Sequence, residues 1–427
     1  MKDTRVHFVG VGGIGMSGLA RLFVHEGATV SGSDAVETDN TKKLVEQGVG
    51  VTYDQGAENI TDGIELVVYT EAMPHDHPEL VAAREKGIRT INYFQALGEI
   101  ANEYYLIAVA GTHGKTTTTA MLIDIFEEAS FDPTAIVGSL RNKTGSNYRA
   151  GKSKYFIVEA CEYKRDFLTL NPDVLVVTNL EHEHVDYYQS LSDVQDAFHE
   201  LAMKVPQAGA IITNVADETI APVLEGVQAQ IIDYRQELDL TWQLRQPGMH
   251  NMLNAAAAKA TAKFVGVEEK YINPALDYFA GTARRFEYKG DCNNAPVYDD
   301  YAHHPTEMKA SISGARDLYP EKKLTVVFQP HTYSRTKELF DDFAEALSGA
   351  DKVVLVPIYA AREKDEYGVS SEMLAEALER KGVATEFFQT LDAAGLAVKQ
   401  SVNHDDVVIV MGAGDVTKIS ATLTNVL

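Results

Sequence analysis

The sequence has 427 residues, of which 45% are hydrophobic and 23% are charged, proportions that are ordinary for a globular protein. A chain of this length is too long for one small core, so two to four domains are expected. The 38 basic and 62 acidic residues give a net charge of −24, which argues against binding to nucleic acid or to an anionic membrane over a broad surface.

Membrane insertion and secretion are not indicated. No apolar run reaches membrane-spanning length, and residues 1–5 lead directly into a predicted strand, which is not typical of a signal sequence. Cys161 and Cys292 are the only cysteines, so we expect no disulfide framework and a cytoplasmic location. The sequence leaves the oligomeric state undetermined.

The first predicted segment begins with a strand near 5–9 and a glycine-rich turn near 10–18. A helix then extends to about residue 26, and a second strand follows near 28–32. Gly10, Gly12 and Gly15 have the spacing of a dinucleotide-binding fingerprint, and Asp34 follows nineteen residues after Gly15, where a ribose-binding carboxylate is expected. Taken alone, this pattern indicates a nicotinamide-dependent oxidoreductase. Any Rossmann-like domain that binds a nucleotide diphosphate needs the same glycines, and so does a tight strand-to-helix turn. A further predicted strand ends at Thr70, which begins a loop suited to contacting a base.

The second predicted segment begins with an apolar strand that breaks at Gly111, followed by Gly114, Lys115 and Thr116 and then a helical pattern. Loop amides and the helix N-terminus would face an anion, Lys115 would reach a terminal phosphate, and the Thr116 hydroxyl suits Mg²⁺. Two residues rather than the usual four separate the glycines, so this is a shortened phosphate loop. A simple turn would not explain a lysine followed by four threonines, which are poor helix formers.

Later strands of this segment end in polar residues, among them Glu159 and His184. Because ligands gather at the carboxyl ends of parallel strands, these two side chains are predicted around a magnesium–nucleotide site. The alternatives are a solvated strand end and a surface histidine. Asn251 and Asn254 share one face of the first turn of an alanine-rich helix, where they could contact adenine or ribose or serve as caps.

The third predicted segment again alternates strands with helical patterns, and its strands end near Asp300, Gln329, Pro357 and Met411. All three segments therefore predict an α/β fold.

Several of these motifs, taken together and in order, resemble the Mur ligase family. The most specific are Gly111–Thr119, Arg284-Arg285-Phe286, Asp299–Glu307 and Phe328–His331, and the resemblance extends from Gly10–Gly18 to Met411–Asp415. It implies three domains: a Rossmann-like UDP-binding domain (1–103), a central P-loop ATP-binding domain with a parallel sheet (104–283), and a C-terminal Rossmann-like α/β domain that binds an amino acid (284–427).

The activity implied by the resemblance is an ATP-dependent ligase of peptidoglycan precursor synthesis that uses Mg²⁺. It would join L-alanine to the carboxylate of UDP-N-acetylmuramate through an acyl phosphate. Family members that add later amino acids carry a modified lysine fourteen residues after the metal-binding histidine, where this sequence has Phe198. A relative that attaches a ready-made tripeptide to the same nucleotide remains the alternative.

Four groups of site residues follow from the resemblance. ATP would contact Gly111, Thr112, His113, Gly114, Lys115, Thr116, Thr117, Asn251, Asn254, Arg285 and Asp300. The UDP substrate would contact Gly12, Gly13, Ile14, Gly15, Met16, Ser17, Asp34, Thr70, Thr178 and Asn179. The amino acid would contact Tyr301, His303, His331 and Arg335, and the metal ligands would be Thr116, Glu159 and His184. The residues expected to take part in catalysis are Lys115, Glu159, His184, His303 and Arg335.

Three positions and one segment depart from the family pattern. The family often has aspartate at the positions of Cys161 and Glu183 and commonly has arginine at the position of Thr332, and the stretch between about residues 211 and 248 is shorter here. The rival interpretations, a nicotinamide oxidoreductase and a non-catalytic nucleotide sensor, leave unexplained why the sequence keeps both the phosphate loop and the predicted metal ligands.

Overall fold

The computed structural model describes residues 2–185 and 187–424. Residue 1 and residues 425–427, at the ends of the predicted first and third domains, lie outside the described residues. The chain divides into two compact units. One comprises the residues up to Trp242 together with Leu253–Phe279, and the other comprises Gln243–Met252 and the residues from Ala280 onward.

The first sheet is entirely parallel, in the order β3-β2-β1-β4-β5. Its strands are β1 (Arg5–Val9), β2 (Thr29–Ser33), β3 (Gly50–Thr52), β4 (Leu66–Tyr69) and β5 (Arg89–Asn92). Its helices are α1 (Ile14–His25), α2 (Asp39–Glu46), α3 (Pro78–Glu85) and α4 (Tyr93–Ala101). The strand order reverses between β1 and β4, and ligands of such sheets bind in the crevice outside this point.

The second sheet lies in the same unit and has the order β12-β11-β10-β6-β9-β7-β8, with β7 and β8 antiparallel. Its strands are β6 (Tyr105–Ala110), β7 (Thr134–Arg141), β8 (Ser146–Arg149), β9 (Tyr155–Glu159), β10 (Val174–Val177), β11 (Ala210–Thr213) and β12 (Gln230–Asp233). The accompanying helices are α5 (Lys115–Glu128), α6 (Leu191–Ala202), α7 (Met249–Phe264) and α8 (Glu269–Asp277). Strand β6 is central, so the loop that follows it is flanked by the ends of β9 and β10.

The third sheet has the order β13-β14-β18-β15-β16-β17, parallel except for the β13–β14 pair. Its strands are β13 (Glu287–Cys292), β14 (Ala295–Asp300), β15 (Lys323–Phe328), β16 (Lys352–Leu355), β17 (Ala384–Phe387) and β18 (Asp406–Met411). Its helices are α9 (Pro305–Leu318), α10 (Tyr333–Glu338), α11 (Phe340–Leu347), α12 (Ser371–Arg380), α13 (Leu391–Ser401) and α14 (Thr417–Thr424).

The α/β class and one sheet for each predicted segment are confirmed. The antiparallel pairs β7–β8 and β13–β14 were not predicted. Phe198 is fully buried, with its ring 5.0 Å from that of Phe167, so it is a core residue of α6. Among the described residues, no helix combines the length and apolarity needed to cross a membrane.

A buried ion cluster joins the hairpin β7–β8 to helix α5, the helix that follows the phosphate loop. Arg141, at the end of β7, is 3% exposed and donates to Asp124 and Glu127 of α5, with 2.7 Å between Nη2 and Glu127 Oε2. Such a pair contributes little relative to apolar packing, but removing one partner leaves the others as uncompensated buried charges.

We therefore predict that Arg141→Ala lowers the free energy of unfolding by about 3 to 5 kcal/mol, measured by urea denaturation. The matched control is Arg89→Ala, which removes a more exposed arginine paired with Glu99 and should cost about 1 kcal/mol or less. Equal losses in the two variants would contradict the assignment of a buried, mutually dependent cluster.

Candidate functional site

The phosphate loop between β6 and α5 has a backbone that only glycine tolerates at two positions. Gly111 has a φ of +133°, and a Cβ there would lie 2.0 Å from the hydroxyl of Thr178. Gly114 has a φ of +84°, and a Cβ there would lie 2.3 Å from the side-chain oxygen of Asn254. The structure thus brings Asn254 against the loop, as expected for a residue assigned to the same ligand.

Thr178 and Asn179, at the end of β10, form hydrogen bonds with this loop. The Thr178 hydroxyl donates to the carbonyl of His113 at 2.6 Å. The Asn179 amide both donates to that carbonyl, at 3.0 Å, and accepts from the His113 N–H, at 2.9 Å. Both residues were assigned to the UDP substrate, and that contact stays a prediction.

Lys115 is folded onto its own loop. Its Nζ donates to the carbonyls of Gly111 and Thr112, the latter at 2.9 Å, and lies 3.0 Å from Glu162 Oε1. Burial lowers the pKa of Lys115, but the carboxylates of Glu162 and its neighbours outweigh it and raise that pKa above the usual lysine value. Lys115 is therefore a permanent cation under the loop.

Glu162 is the residue of this site that sequence reasoning missed. It is 3% exposed, and its Oε1 lies 3.5 Å from His184 Nε2 as well as beside Lys115. Among the residues that the structure describes, its Oε2 is buried without a hydrogen-bond partner. Glu162, Glu183 and His184 hold ligand atoms within 4.8 Å of one another, a group suited to a metal ion. The sequence feature that could have indicated Glu162 is its position in the polar stretch that follows β9.

Glu159 pairs with the predicted magnesium ligand on α5. Its Oε1 accepts from the Thr116 hydroxyl at 2.9 Å, and its Oε2 accepts from the Gly138 N–H at 2.7 Å. Hydroxyl and carboxylate oxygens are the donors that Mg²⁺ prefers. These oxygen donors therefore fit a divalent ion. The structure groups His184 with Glu162 rather than with Glu159.

The glycine turn after β1 is held by hydrogen bonds to side chains of the same predicted domain. The Gly12 N–H donates to Asp34 Oδ2 at 2.7 Å, and the Gly12 carbonyl accepts from Asn40 at 3.0 Å. Gly13 and Ile14 are exposed, whereas Met16 and Ser17 are buried, so their side chains face the core. The ribose contact predicted for Asp34 remains a prediction, because in this structure its carboxylate binds the turn.

Two further residues fix the position of this turn. A Cβ at Gly10 would lie 2.7 Å from Thr70, which places the predicted base-contacting loop directly beside the turn. Asn147, on β8, is 1% exposed and donates 2.7 Å to the carbonyl of Ile14 at the start of α1. Sequence reasoning missed Asn147, because β7 and β8 were not predicted.

The second unit has its own cluster at the carboxyl ends of β14, β15 and β16. The Arg284 and Arg285 guanidinium carbons lie 5.0 and 5.3 Å from the ring centre of Tyr301, a cation–π arrangement. His303 Nδ1 lies 2.9 Å from the Tyr301 carbonyl, and the His303 ring is 5.9 Å from that of His331. The structure therefore brings together Tyr301, His303 and His331, as the amino-acid assignment requires.

His331 sits between a cation and an aromatic ring. Arg335 Nη1 lies 3.5 Å from His331 Nδ1, and the ring of Tyr359 stacks on the imidazole at 5.6 Å with an interplanar angle of 12°. Burial, followed by His303 and Arg335, lowers the pKa of His331 to about 4, so its ring is neutral at physiological pH. Tyr359 was not assigned to the site, although the end of β16 pointed to it.

Asp300, Asn251 and Arg285, assigned to ATP, are each engaged within the second unit. Asp300 is 5% exposed; its Oδ2 accepts from Ser311 at 2.5 Å and its Oδ1 from the Ala302 N–H at 3.0 Å. Burial raises the pKa of Asp300 to about 6, against the opposing effects of Ser311 and Arg285. Asn251 donates to the Pro247 carbonyl at 2.9 Å, and Arg285 lies 3.5 Å from Glu307. Their contacts with ATP stay predictions.

Comparison with known proteins gives a consistent result along the whole chain. Three family models match: the Mur ligase family catalytic domain over residues 5–105, the Mur ligase middle domain over 109–240, and the Mur ligase glutamate ligase domain over 284–414. The chain is 42% identical to UDP-N-acetylmuramate–L-alanine ligase of Agathobacter rectalis, covering 99% of this chain and 98% of that one. It is 41% identical to the same enzyme of Clostridium novyi, covering 98% and 97%.

Two solved structures extend the comparison to the fold. UDP-N-acetylmuramate–alanine ligase from Thermotoga maritima has a TM-score of 0.81 at 28% identity, covering 99% of this chain and 98% of that one. A murein peptide ligase from Psychrobacter arcticus has a TM-score of 0.71 at 25% identity, covering 99% of each chain.

The raised pKa of Asp300 predicts a stability cost that depends on pH. Its carboxyl binds a proton more tightly in the folded than in the unfolded chain, so its contribution to stability is complete below pH 4 and is lost as the pH rises through about 6. Asp300→Asn keeps the shape and can donate to Ser311. It should therefore be more stable than the unmodified protein at pH 8, by up to about 3 kcal/mol, and equally stable near pH 4.

Thermal unfolding at the two pH values measures this difference. Asp342→Asn, on the exposed face of α11, is the control and should change stability little at either pH. An Asp300→Asn protein less stable than the unmodified chain at pH 8 would contradict the cost assigned to this buried carboxylate.

Proposed function

The chain belongs to the Mur ligase family, and we propose that it is an ATP-dependent ligase that joins L-alanine to the carboxylate of UDP-N-acetylmuramate. The observation that carries this proposal is the 42% identity, over nearly the full length of both chains, to a relative with that name. The product would be a peptidoglycan precursor. The domain roles that we propose are those expected from the sequence: UDP substrate at 1–103, ATP at 104–283 and amino acid at 284–427.

ATP would supply the phosphoryl group that activates the muramyl carboxylate, and Mg²⁺ would neutralise the charge of the phosphates. Lys115, the loop amides from Gly111 to Thr116, and Asn254 would hold the phosphates. The geometry that supports this is a loop shaped by Gly111 and Gly114, with the Lys115 cation folded onto it. Lys115 would then exchange its carbonyl and Glu162 partners for phosphate oxygens.

The metal ions would be held by oxygen donors at the ends of β9 and β10. Thr116 and Glu159 already touch at 2.9 Å, and His184 lies with Glu162 and Glu183 in a second group of potential ligands. We therefore add Glu162 to the proposed metal site. Its buried and unpaired Oε2, in the part of the chain that the structure describes, supports this assignment.

The amino acid would bind in the cluster of the second unit. Arg335 would pair with its carboxylate, because its guanidinium is a cation that lies 3.5 Å from His331. Since the pKa of His331 is about 4, this ring stays uncharged and does not compete with Arg335 for the carboxylate. His303 and Tyr301 would complete the pocket around the amino group that attacks the acyl phosphate.

A ligase for a ready-made tripeptide is the second candidate, because the murein peptide ligase of Psychrobacter arcticus shares the fold over 99% of this chain. The higher identity to the alanine-adding enzymes favours L-alanine. An oxidoreductase is not favoured, because the dinucleotide fingerprint is also what a UDP-binding domain requires.

The deciding experiment measures phosphate release from ATP and Mg²⁺ in the presence of UDP-N-acetylmuramate, with either L-alanine or L-Ala-γ-D-Glu-meso-diaminopimelate. We expect release with L-alanine alone. Release only with the tripeptide would transfer the protein to the second candidate, and release with neither would contradict both.

The phosphate loop makes a separate prediction. Lys115→Ala should lower kcat by at least about a hundredfold, because a preorganised cation at the transferred phosphate is lost. Lys152→Ala, which changes an exposed lysine in the same unit, is the control and should leave kcat unchanged. Circular dichroism would check that both variants fold, and substantial activity in a folded Lys115→Ala protein would overturn the assignment of the loop.

A further inference from the structure

Thr332 adopts a backbone conformation that a β-branched residue rarely adopts. Its φ is +41° and its ψ is 168°, close to the region that is essentially restricted to glycine. The residue lies directly between His331 and α10, the short helix that carries Arg335. The conformation of Thr332 therefore sets how the imidazole and the guanidinium of the proposed amino-acid pocket are placed relative to each other.

Something must hold this conformation, because Thr332 does not cap α10 with its own side chain. Its carbonyl accepts from the N–H and the hydroxyl of Thr336, at 3.1 and 2.6 Å, bonds that belong to the helix itself. These bonds fix the helix side of the turn. They leave unsatisfied the first amides of α10, which helix formation cannot pair.

Glu363 supplies the missing acceptors from a different segment. Its Oε2 accepts from the Ser334 N–H at 2.9 Å, and its Oε1 accepts from the Ser334 hydroxyl. The Ser334 hydroxyl also lies 3.2 Å from the Thr332 hydroxyl. One half-buried side chain thus binds both the backbone and the hydroxyl of Ser334, which in turn contacts the strained Thr332.

The segment that carries Glu363 is itself attached to the pocket. Tyr359 donates its N–H to the Pro330 carbonyl at 2.9 Å and stacks its ring on His331. Four residues later, Glu363 donates its own N–H to the Ala360 carbonyl at 2.9 Å, which turns the chain toward α10. The segment from Tyr359 to Glu363 therefore contacts the segment from His331 to Ser334 at both ends.

We infer that Glu363 is a positioning residue for the incoming amino acid: its carboxylate holds Ser334 at the start of α10, this anchors the strained turn at Thr332, and that turn aims Arg335 and His331 into the pocket. Glu363 does not itself touch the substrate in this account, since both of its oxygens accept hydrogen bonds from Ser334 of α10. The inference rests on the proposed function of the pocket, and it adds a residue that the sequence did not assign.

The test is a double-mutant cycle between Glu363 and Thr332, read as KM values for the three substrates. Glu363→Ala should raise KM for L-alanine by about tenfold or more, because misplacing a binding group by a fraction of an ångström weakens its contact with the substrate. KM for ATP and for UDP-N-acetylmuramate should not change. Glu363→Gln keeps one accepting oxygen, so its KM for L-alanine should lie between the values of the unmodified protein and of Glu363→Ala.

Glycine adopts a positive φ without strain, so in a Thr332→Gly protein the turn should depend less on the hydrogen bonds of Glu363. In that background we expect Glu363→Ala to raise KM for L-alanine by less than about threefold, a clear non-additivity. The same increase in both backgrounds would overturn the inference, as would an unchanged KM in Glu363→Ala.

A second helix of the same unit provides the control for stability. Ser370 caps α12 by accepting from the Met373 N–H at 3.3 Å, away from the pocket residues in sequence. Ser370→Ala should lower the melting temperature through the lost cap while leaving KM for L-alanine unchanged. If the unmodified protein releases no phosphate with L-alanine, the proposed function fails. If it does release phosphate, but the effects of Glu363→Ala and Thr332→Gly on KM for L-alanine simply add, this inference alone fails.

Discussion

A largely enclosed lysine against a phosphate loop needs an anion as its partner, and the rest of the candidate site is arranged around this requirement. The side chain of Lys115 is 14% exposed and that of Glu162 is 4% exposed, so their ion pair lies where water screens it little. Glu162 also faces His184, so one carboxylate satisfies the lysine while offering an oxygen to a metal ion. A nucleotide that brings phosphates and Mg²⁺ would satisfy both groups at once.

The same construction recurs in the three sheets. Each places its polar residues at the carboxyl ends of parallel strands: the turn after β1 beside Thr70, the phosphate loop between the ends of β9 and β10, and the histidine cluster after β14, β15 and β16. Buried strands supply rigidity, and loops supply the chemistry. The loops are held by side chains from elsewhere in their own unit, such as Asp34 at Gly12 and Glu363 at α10.

What the sequence predicted well was local and periodic. Apolar runs such as Leu66–Tyr69 predicted strands, and the phosphate loop carried its own signature in glycine, lysine and threonine. Glu162, Asn147 and Glu363 were missed because each acts through partners distant in sequence: Glu162 meets Lys115 across 47 residues and Asn147 meets Ile14 across 133. No periodicity records such contacts. The antiparallel strand β8 reads Ser-Asn-Tyr-Arg, so it has no apolar run that would indicate a strand.

The most direct test of this account is a crystal structure with a non-hydrolysable ATP analogue and Mn²⁺, whose anomalous signal locates the ions without assumption. We expect Lys115 to leave the carbonyls of Gly111 and Thr112 for a phosphate, with one ion at Thr116 and Glu159 and another within the group that contains Glu162 and His184. A nucleotide bound elsewhere, with Lys115 still paired to Glu162 and no ion at either group, would contradict the account.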